Sequence, residues 1–281
     1  MIHQFISDVM EFSFLQRALI TSIIIGVICG VIGCFIVLRG LALMGDAISH
    51  AVLPGVAISY MLGINFFYGA ALFGLLAALG IGFVNQNSNI KNDSAIGIVF
   101  SSFLALGVLL VAKAQSSIDL TEILFGNVLT VKGEDRTLTI IVAAIVLIIV
   151  IVFYKEFLLS TFDSTMAAAS GLPVKLIHYT IMVLLTLVTV ASLQTVGVIL
   201  VVSLLITPAA TAYLLAKRLS TMIVMSSIIG AFSAVIGLFL SFSYNLPSGV
   251  VIVLVITAIF VVTFFLAPKT GLLWKIIKNK K

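Results

Sequence analysis

"RGLALMGDAISHAVLPGVAISYMLG", residues 39–63, sets an arginine, an aspartate and a histidine inside an otherwise apolar run, with glycines and a proline among them. Apolar runs continue on both sides, over 14–38 and 65–85. Covering the hydrocarbon core of a bilayer takes about 20 predominantly apolar residues in a helix. The segment 42–62 meets that length, which puts Asp46 and His50 at membrane depth.

Composition supports this reading across the whole chain. Of 281 residues, 62% are hydrophobic and only 9% are charged, whereas soluble domains carry roughly 25% charged residues. So few polar groups cannot cover a globular surface, and the solvent must be largely lipid. The net charge of +5 comes from basic residues spread over short loops and the last residues. It lacks the clustered patch that nucleic-acid binding requires. Cys29 and Cys34 share one apolar run at a spacing that matches no common metal or redox signature, and read as buried small side chains. The first residues, "MIHQFISDVMEF", lack the basic flank and short apolar core of a cleaved signal peptide, so the membrane segments are expected to direct insertion.

Nine spans are predicted, at 14–38, 42–62, 65–85, 94–112, 137–155, 176–193, 196–216, 221–242 and 246–267. The segment 118–131, "IDLTEILFGNVLTV", would reach only about 21 Å as a helix and carries Asp119 and Glu122. It is expected to be a short outer-face helix, not a crossing. The fold class is therefore an all-α polytopic membrane protein, and residues 1–281 form a single transmembrane domain. Lys155, Lys175, Lys217, Arg218, Lys269, Lys275, Lys278, Lys280 and Lys281 fall on one side of an alternating path. By the positive-inside rule that side is the cytoplasm. The turns near Gln194 and at "SYNLPSG" (243–249) carry no basic residue. The C-terminus is expected inside and the N-terminus outside.

Asp46 and His50 are spaced i, i+4 and project from one face of a helix. A carboxylate at mid-membrane costs about 2.5–3.5 kcal/mol on insertion scales, so a water-filled path, a partner or a cation must offset it. Carboxylate oxygen with imidazole nitrogen suits a divalent first-row metal. Two ligands are few, but a two-fold dimer would bring two of each to one ion. The alternative is that Asp46 caps a helix after Gly45 and His50 is a polar interhelical contact. Gly40, Gly45, Pro54 and Gly55 favour the first reading, since helices broken at membrane depth border cavities.

Ser203, Thr207 and Thr211 recur every four residues and share a face of span seven, with Pro208 among them. They are candidates to line a pore, or to bond back to their own helix. Gly26 and Gly30 form a small-xxx-small pair suited to close helix packing. His178, at the start of span six, reads as an interfacial residue. In the loop 155–175, Asp163 is placed to cap a short helix through Ala169, with Gly171 ending it and Pro173 blocking its continuation. Such a helix could dock a soluble partner or lie at the headgroups. The chain contains no Gly-Lys pair and hence no phosphate loop, no H-E-x-x-H and no G-x-S-x-G. It is expected to be non-catalytic, with any nucleotide-driven engine on another polypeptide.

Three stretches carry a resemblance: "FIVLRGLALMGDAISHAVLPGVAISYMLG" (35–63), "FDSTMAAASGLPV" (162–174) and "VGVILVVSLLITPAATAYLLAKRL" (196–219). In this order they resemble the membrane subunits of ATP-binding-cassette importers for manganese, zinc and iron, and look most like the streptococcal-type manganese permeases. Gly40 departs from the pattern, where relatives often carry a second basic residue. The resemblance implies a fold similar to the cobalamin-type (type II) importers, with two copies of the chain around a central path in the bacterial plasma membrane. It implies two cytoplasmic ATPase subunits that bind the ATP, and an extracytoplasmic metal-binding protein that could touch Asp119, Glu122 or "KGEDR" (132–136). Asp46 and His50 match the polar positions of the family signature and become the candidate metal ligands. Phe162, Asp163, Ala167 and Gly171 fall in the segment that matches the ATPase-contacting helix. The cargo implied is Mn2+, with Zn2+ or Fe2+ possible, and no cofactor is held permanently. The alternative function is a gradient-driven secondary transporter in which Asp46 and His50 relay protons.

Overall fold

The computed structural model describes residues 7–9, 11–113 and 128–267. Apart from one 3₁₀ turn, its regular elements are α-helices, as a lipid solvent demands: each backbone N–H and C=O must find a partner within its own segment. They are α1 (Ser13–Leu38), α2 (Ala42–Ala51), α3 (Leu53–Leu62), α4 (Phe66–Asn87), α5 (Asn92–Lys113), α6 (Gly133–Val152), α7 (Tyr154–Phe162), α8 (Ser164–Ala169), α9 (Val174–Val196), α10 (Val198–Leu215), α11 (Leu219–Tyr244) and α12 (Ser248–Leu266). Among the described residues, nine segments are long and apolar enough to cross a membrane, α2 and α3 together making one of them. They match the nine predicted spans to within about four residues at each end. The expected outer-face helix 118–131 lies outside the described residues as far as 127, and Val128–Thr130 form the 3₁₀ turn.

Helix α1 is the hub. It packs along α11 and α10 and also touches α6 and α9. Its contact with α11 depends on the small residues the sequence singled out. A Cβ on Gly30 would lie 2.9 Å from the Ser226 carbonyl carbon, and the Ser226 hydroxyl donates to the Gly30 carbonyl at 3.0 Å. Ile25, Ile28, Ile32 and Phe35 of α1 are fully buried with Met44, Ile48, Ile181 and Met182 in one continuous core. Cys29 and Cys34 are free thiols buried in the same helix.

The joints are made by residues that can leave helical space. Gly40 (φ 67) ends α1, with Gly40 N–H donating to Val37 and Leu41 N–H to Ile36. That pair of bonds is a Schellman turn. Gly197, at φ 81 and ψ 165, alone joins α9 to α10, a backbone state essentially reserved for glycine. The turn therefore falls three residues beyond Gln194. Pro208 lies inside α10, which stays continuous through it, as neighbouring helices in membrane bundles allow.

Two sequence expectations about residues 39–63 are corrected. The break is at Val52, after His50, not at Gly45 or Gly55. Gly45 and Gly55 sit inside helices because their neighbours leave no room: a Cβ on Gly45 would meet Leu205 at 3.0 Å, and one on Gly55 would collide with the Gly69 carbonyl.

Candidate functional site

Helix α2 is wrapped by α5, α10, α9 and α4. Met44, Gly45, Ala47, Ile48, Ser49 and Ala51 are buried, and the open positions are Ala42, Leu43, Asp46 and His50. Leu43, Asp46 and His50 follow the i, i+3, i+7 spacing of one helix face. A helix sealed on its other sides thus opens along a single stripe, and that stripe bears its two ionisable side chains. Asp46 stands in mid-helix, four residues past the start of α2, so the alternative that it caps a helix is excluded.

The Nε2 of His50 is 3.6 Å from Oδ1 of Asp46, and their side chains are 22% and 46% exposed. Oxygen and nitrogen donors this close can share one divalent ion. The His50 ring stands edge-on to Phe100 of α5, with centroids 5.5 Å apart, which fixes the imidazole plane. No group of three or more His, Cys, Asp or Glu converges among the described residues. One copy of the chain therefore offers two donors facing outward and an incomplete set for a tightly held ion.

The Ser/Thr stripe of α10 is not uniform. Ser203 and Thr207 are partly open, whereas Thr211 is fully buried and its hydroxyl donates to the Thr207 carbonyl at 2.7 Å. Of the two readings open for this stripe, Thr211 follows the second: its hydroxyl is spent on its own helix, as Ser and Thr often do in apolar surroundings.

The loop 155–175 folds as expected and adds a helix. After α7, Asp163 leaves helical space (φ −147, ψ 90) and its carboxylate accepts from Met166 N–H at 2.8 Å, capping α8. Gly171, at φ 80, closes it: its N–H donates to Ala168 and that of Leu172 to Ala167, a second Schellman turn. Ala167 is buried. Phe162 and Met166 are exposed by 63% and 57%, with Leu176 of α9 also exposed, so apolar side chains crown this loop.

Sequence reasoning missed what holds the loop in place. Arg39, at the end of α1, donates from Nε to the Thr161 hydroxyl at 3.1 Å and from Nη2 to the Ser160 hydroxyl at 3.0 Å. Its Nη1 lies 3.5 Å from Nδ1 of His178. One turn back, Phe35 meets Phe157 of α7 edge-on at 5.7 Å. Burial pulls the Arg39 guanidinium down to about 10, still far above neutral pH, so it stays cationic. An arginine at the end of a span was the available signal. Nothing local could say that residues more than 120 positions away would receive it.

Fold and site together define a polytopic helical membrane protein with a paired carboxylate and imidazole on the one open stripe of a buried helix. The chain belongs to the ABC 3 transport family, whose model matches residues 11–267. It is 64% identical over 270 residues, 96% of each chain, to the manganese transport system membrane protein MntC of Listeria monocytogenes. It superposes on a structure of PsaBC from Streptococcus pneumoniae in complex with Fab at a TM-score of 0.88, with 52% identity and both chains fully covered. An inward-facing structure of a putative metal-chelate type ABC transporter shares the fold at a TM-score of 0.72 and 17% identity, over 92% of this chain and 87% of that one.

Proposed function

We propose that the chain is the membrane-spanning subunit of an ATP-driven importer of divalent manganese in a bacterial plasma membrane. Two copies flank a central path, and Asp46 and His50 of each converge to give two carboxylates and two imidazoles to one ion. Ser203 and Thr207 offer hydroxyls along the same path. Oxygen and nitrogen donors without thiolate hold a divalent first-row ion and still release it. A metal-binding protein delivers the ion from outside. Two ATPase subunits engage α8 and its flanks, where Asp163 and Gly171 fix the helix ends, Ala167 seats it, and Phe162 presents an apolar contact. The C-terminus lies in the cytoplasm and the N-terminus outside. The chain performs no chemistry of its own and holds no permanent cofactor, because ATP is hydrolysed on the partner.

The carrying observation is that the open stripe of α2 bears both of its ionisable residues. Leaving a carboxylate exposed on a buried membrane helix is costly, and a cation path gives the cost a purpose. The similarity to manganese transport proteins over nearly the whole chain supports the cargo.

The test is manganese uptake by the complete complex in liposomes, with the Asp46→Ala and His50→Ala variants beside the native chain. Outer-shell substitutions at metal sites cost about 10–100-fold, so losing a ligand should lower uptake by about 100-fold while the subunits still assemble. Undiminished uptake in both variants would remove the site. Uptake driven by an ion gradient without ATP would replace the mechanism with a secondary transporter.

A further inference from the structure

Arg39 stands where three parts of the molecule meet. It terminates α1. Through the Schellman turn at Gly40 it is joined, with Leu41 as the remaining link, to α2, the helix of Asp46 and His50. Its guanidinium grips both arms of the loop that carries α8: Ser160 and Thr161 on the incoming arm and His178 on the outgoing one. Phe35 and Phe157 repeat the α1–α7 contact one turn away. Arg39 to Phe35 and Ser160 or Thr161 to Phe157 are each spaced by about one turn, so the two helices meet in register.

We propose that Arg39 is the positioning residue that transmits movement of α8 to the metal-bearing helix α2. This rests on the reading of the chain as the permease of an ATP-driven importer. The geometry suits the task. A planar guanidinium makes several directed bonds at once, which fixes orientation as well as distance. Beyond the grip, Asp163 leaves helical space and caps α8, so a single held residue joins α8 to the gripped end of α7, and α2 follows the grip after a tight turn. A displacement of α8 that carries Ser160 and Thr161 must either break those bonds or drag the end of α1 and the start of α2 with it. His178 stands 3.5 Å from the same guanidinium, so both arms of the loop meet at one cation.

The experiment measures manganese uptake and ATP hydrolysis together, in liposomes holding the complete complex supplied with its binding protein. The variants are Arg39→Ala, Arg39→Lys and the double variant Ser160→Ala/Thr161→Val. Metal taken up per ATP hydrolysed should fall about tenfold in each, the usual range of coupling between sites being about 5–150-fold. Hydrolysis itself should persist. Lysine should not restore coupling, because a point charge cannot reproduce the fork. A merely structural role would lower uptake and hydrolysis by the same factor as folded complex is lost. An unchanged uptake-to-hydrolysis ratio in the variants overturns the proposal. Should Arg39→Ala fail to assemble, the hydroxyl double variant, which leaves the cation in place, decides by the same ratio. A native complex that shows no ATP-dependent uptake would overturn the importer reading instead.

Discussion

Gly26 and Gly230 bring α1 and α11 into backbone contact: a Cβ on Gly26 would sit 2.7 Å from the Gly230 carbonyl carbon. Lipid tails are as apolar as the side chains, so burial gives membrane helices little reason to associate, and close packing with hydrogen bonds takes over. The α1–α11 pair is thus held by backbone-to-backbone approach together with the Ser226 hydroxyl bond to the Gly30 carbonyl.

Replacing Gly26 by Val should force that contact apart. Overpacking costs about 1–3 kcal/mol, and here the obstructing atoms are backbone, which cannot rotate away. A lower thermal midpoint of the purified protein in detergent is the expected result, with Gly230→Val giving a similar loss.

Zinc should compete at the Asp46 and His50 site. The order of stability for oxygen and nitrogen donors places Zn2+ above Mn2+, so zinc added to the complex without its binding protein should displace manganese. Displacement should disappear in Asp46→Ala.

The ends of α8 should be separable from its contacts. Asp163→Ala removes the carboxylate that holds Met166 N–H, a loss of about 1 kcal/mol. Gly171→Ala places a Cβ at φ 80, costing about 1–2 kcal/mol, although space around it is open. Both should reduce ATPase co-purification modestly, and together by more than either alone. Equal co-purification in all of them would show that α8 is not the contact.

Thr211→Val should be nearly silent in transport. Its hydroxyl bonds to its own helix and the side chain is sealed, so uptake should be close to native, the loss of about 1 kcal/mol of net hydrogen-bond energy falling on helix stability instead. Thr207→Val, at a partly open position, should have the larger effect on uptake.

The sequence by itself determined the class of fold, the nine spans found among the described residues, the i, i+4 pairing of Asp46 with His50 and the boundaries of α8. These are local properties: apolar length, helical period, a capping Asp and a terminating Gly all act within a turn or a span. Tertiary structure decided the rest. It alone revealed that Gly45 and Gly55 serve close approach instead of breaking helices, because the deciding atoms belong to Leu205 and Gly69. It also turned Thr211 inward, opened one stripe of α2 to the outside, and set Arg39 across both arms of a distant loop. Sequence period fixes which side chains share a face. Which face is covered, and by what, depends on helices that meet only after the chain has folded.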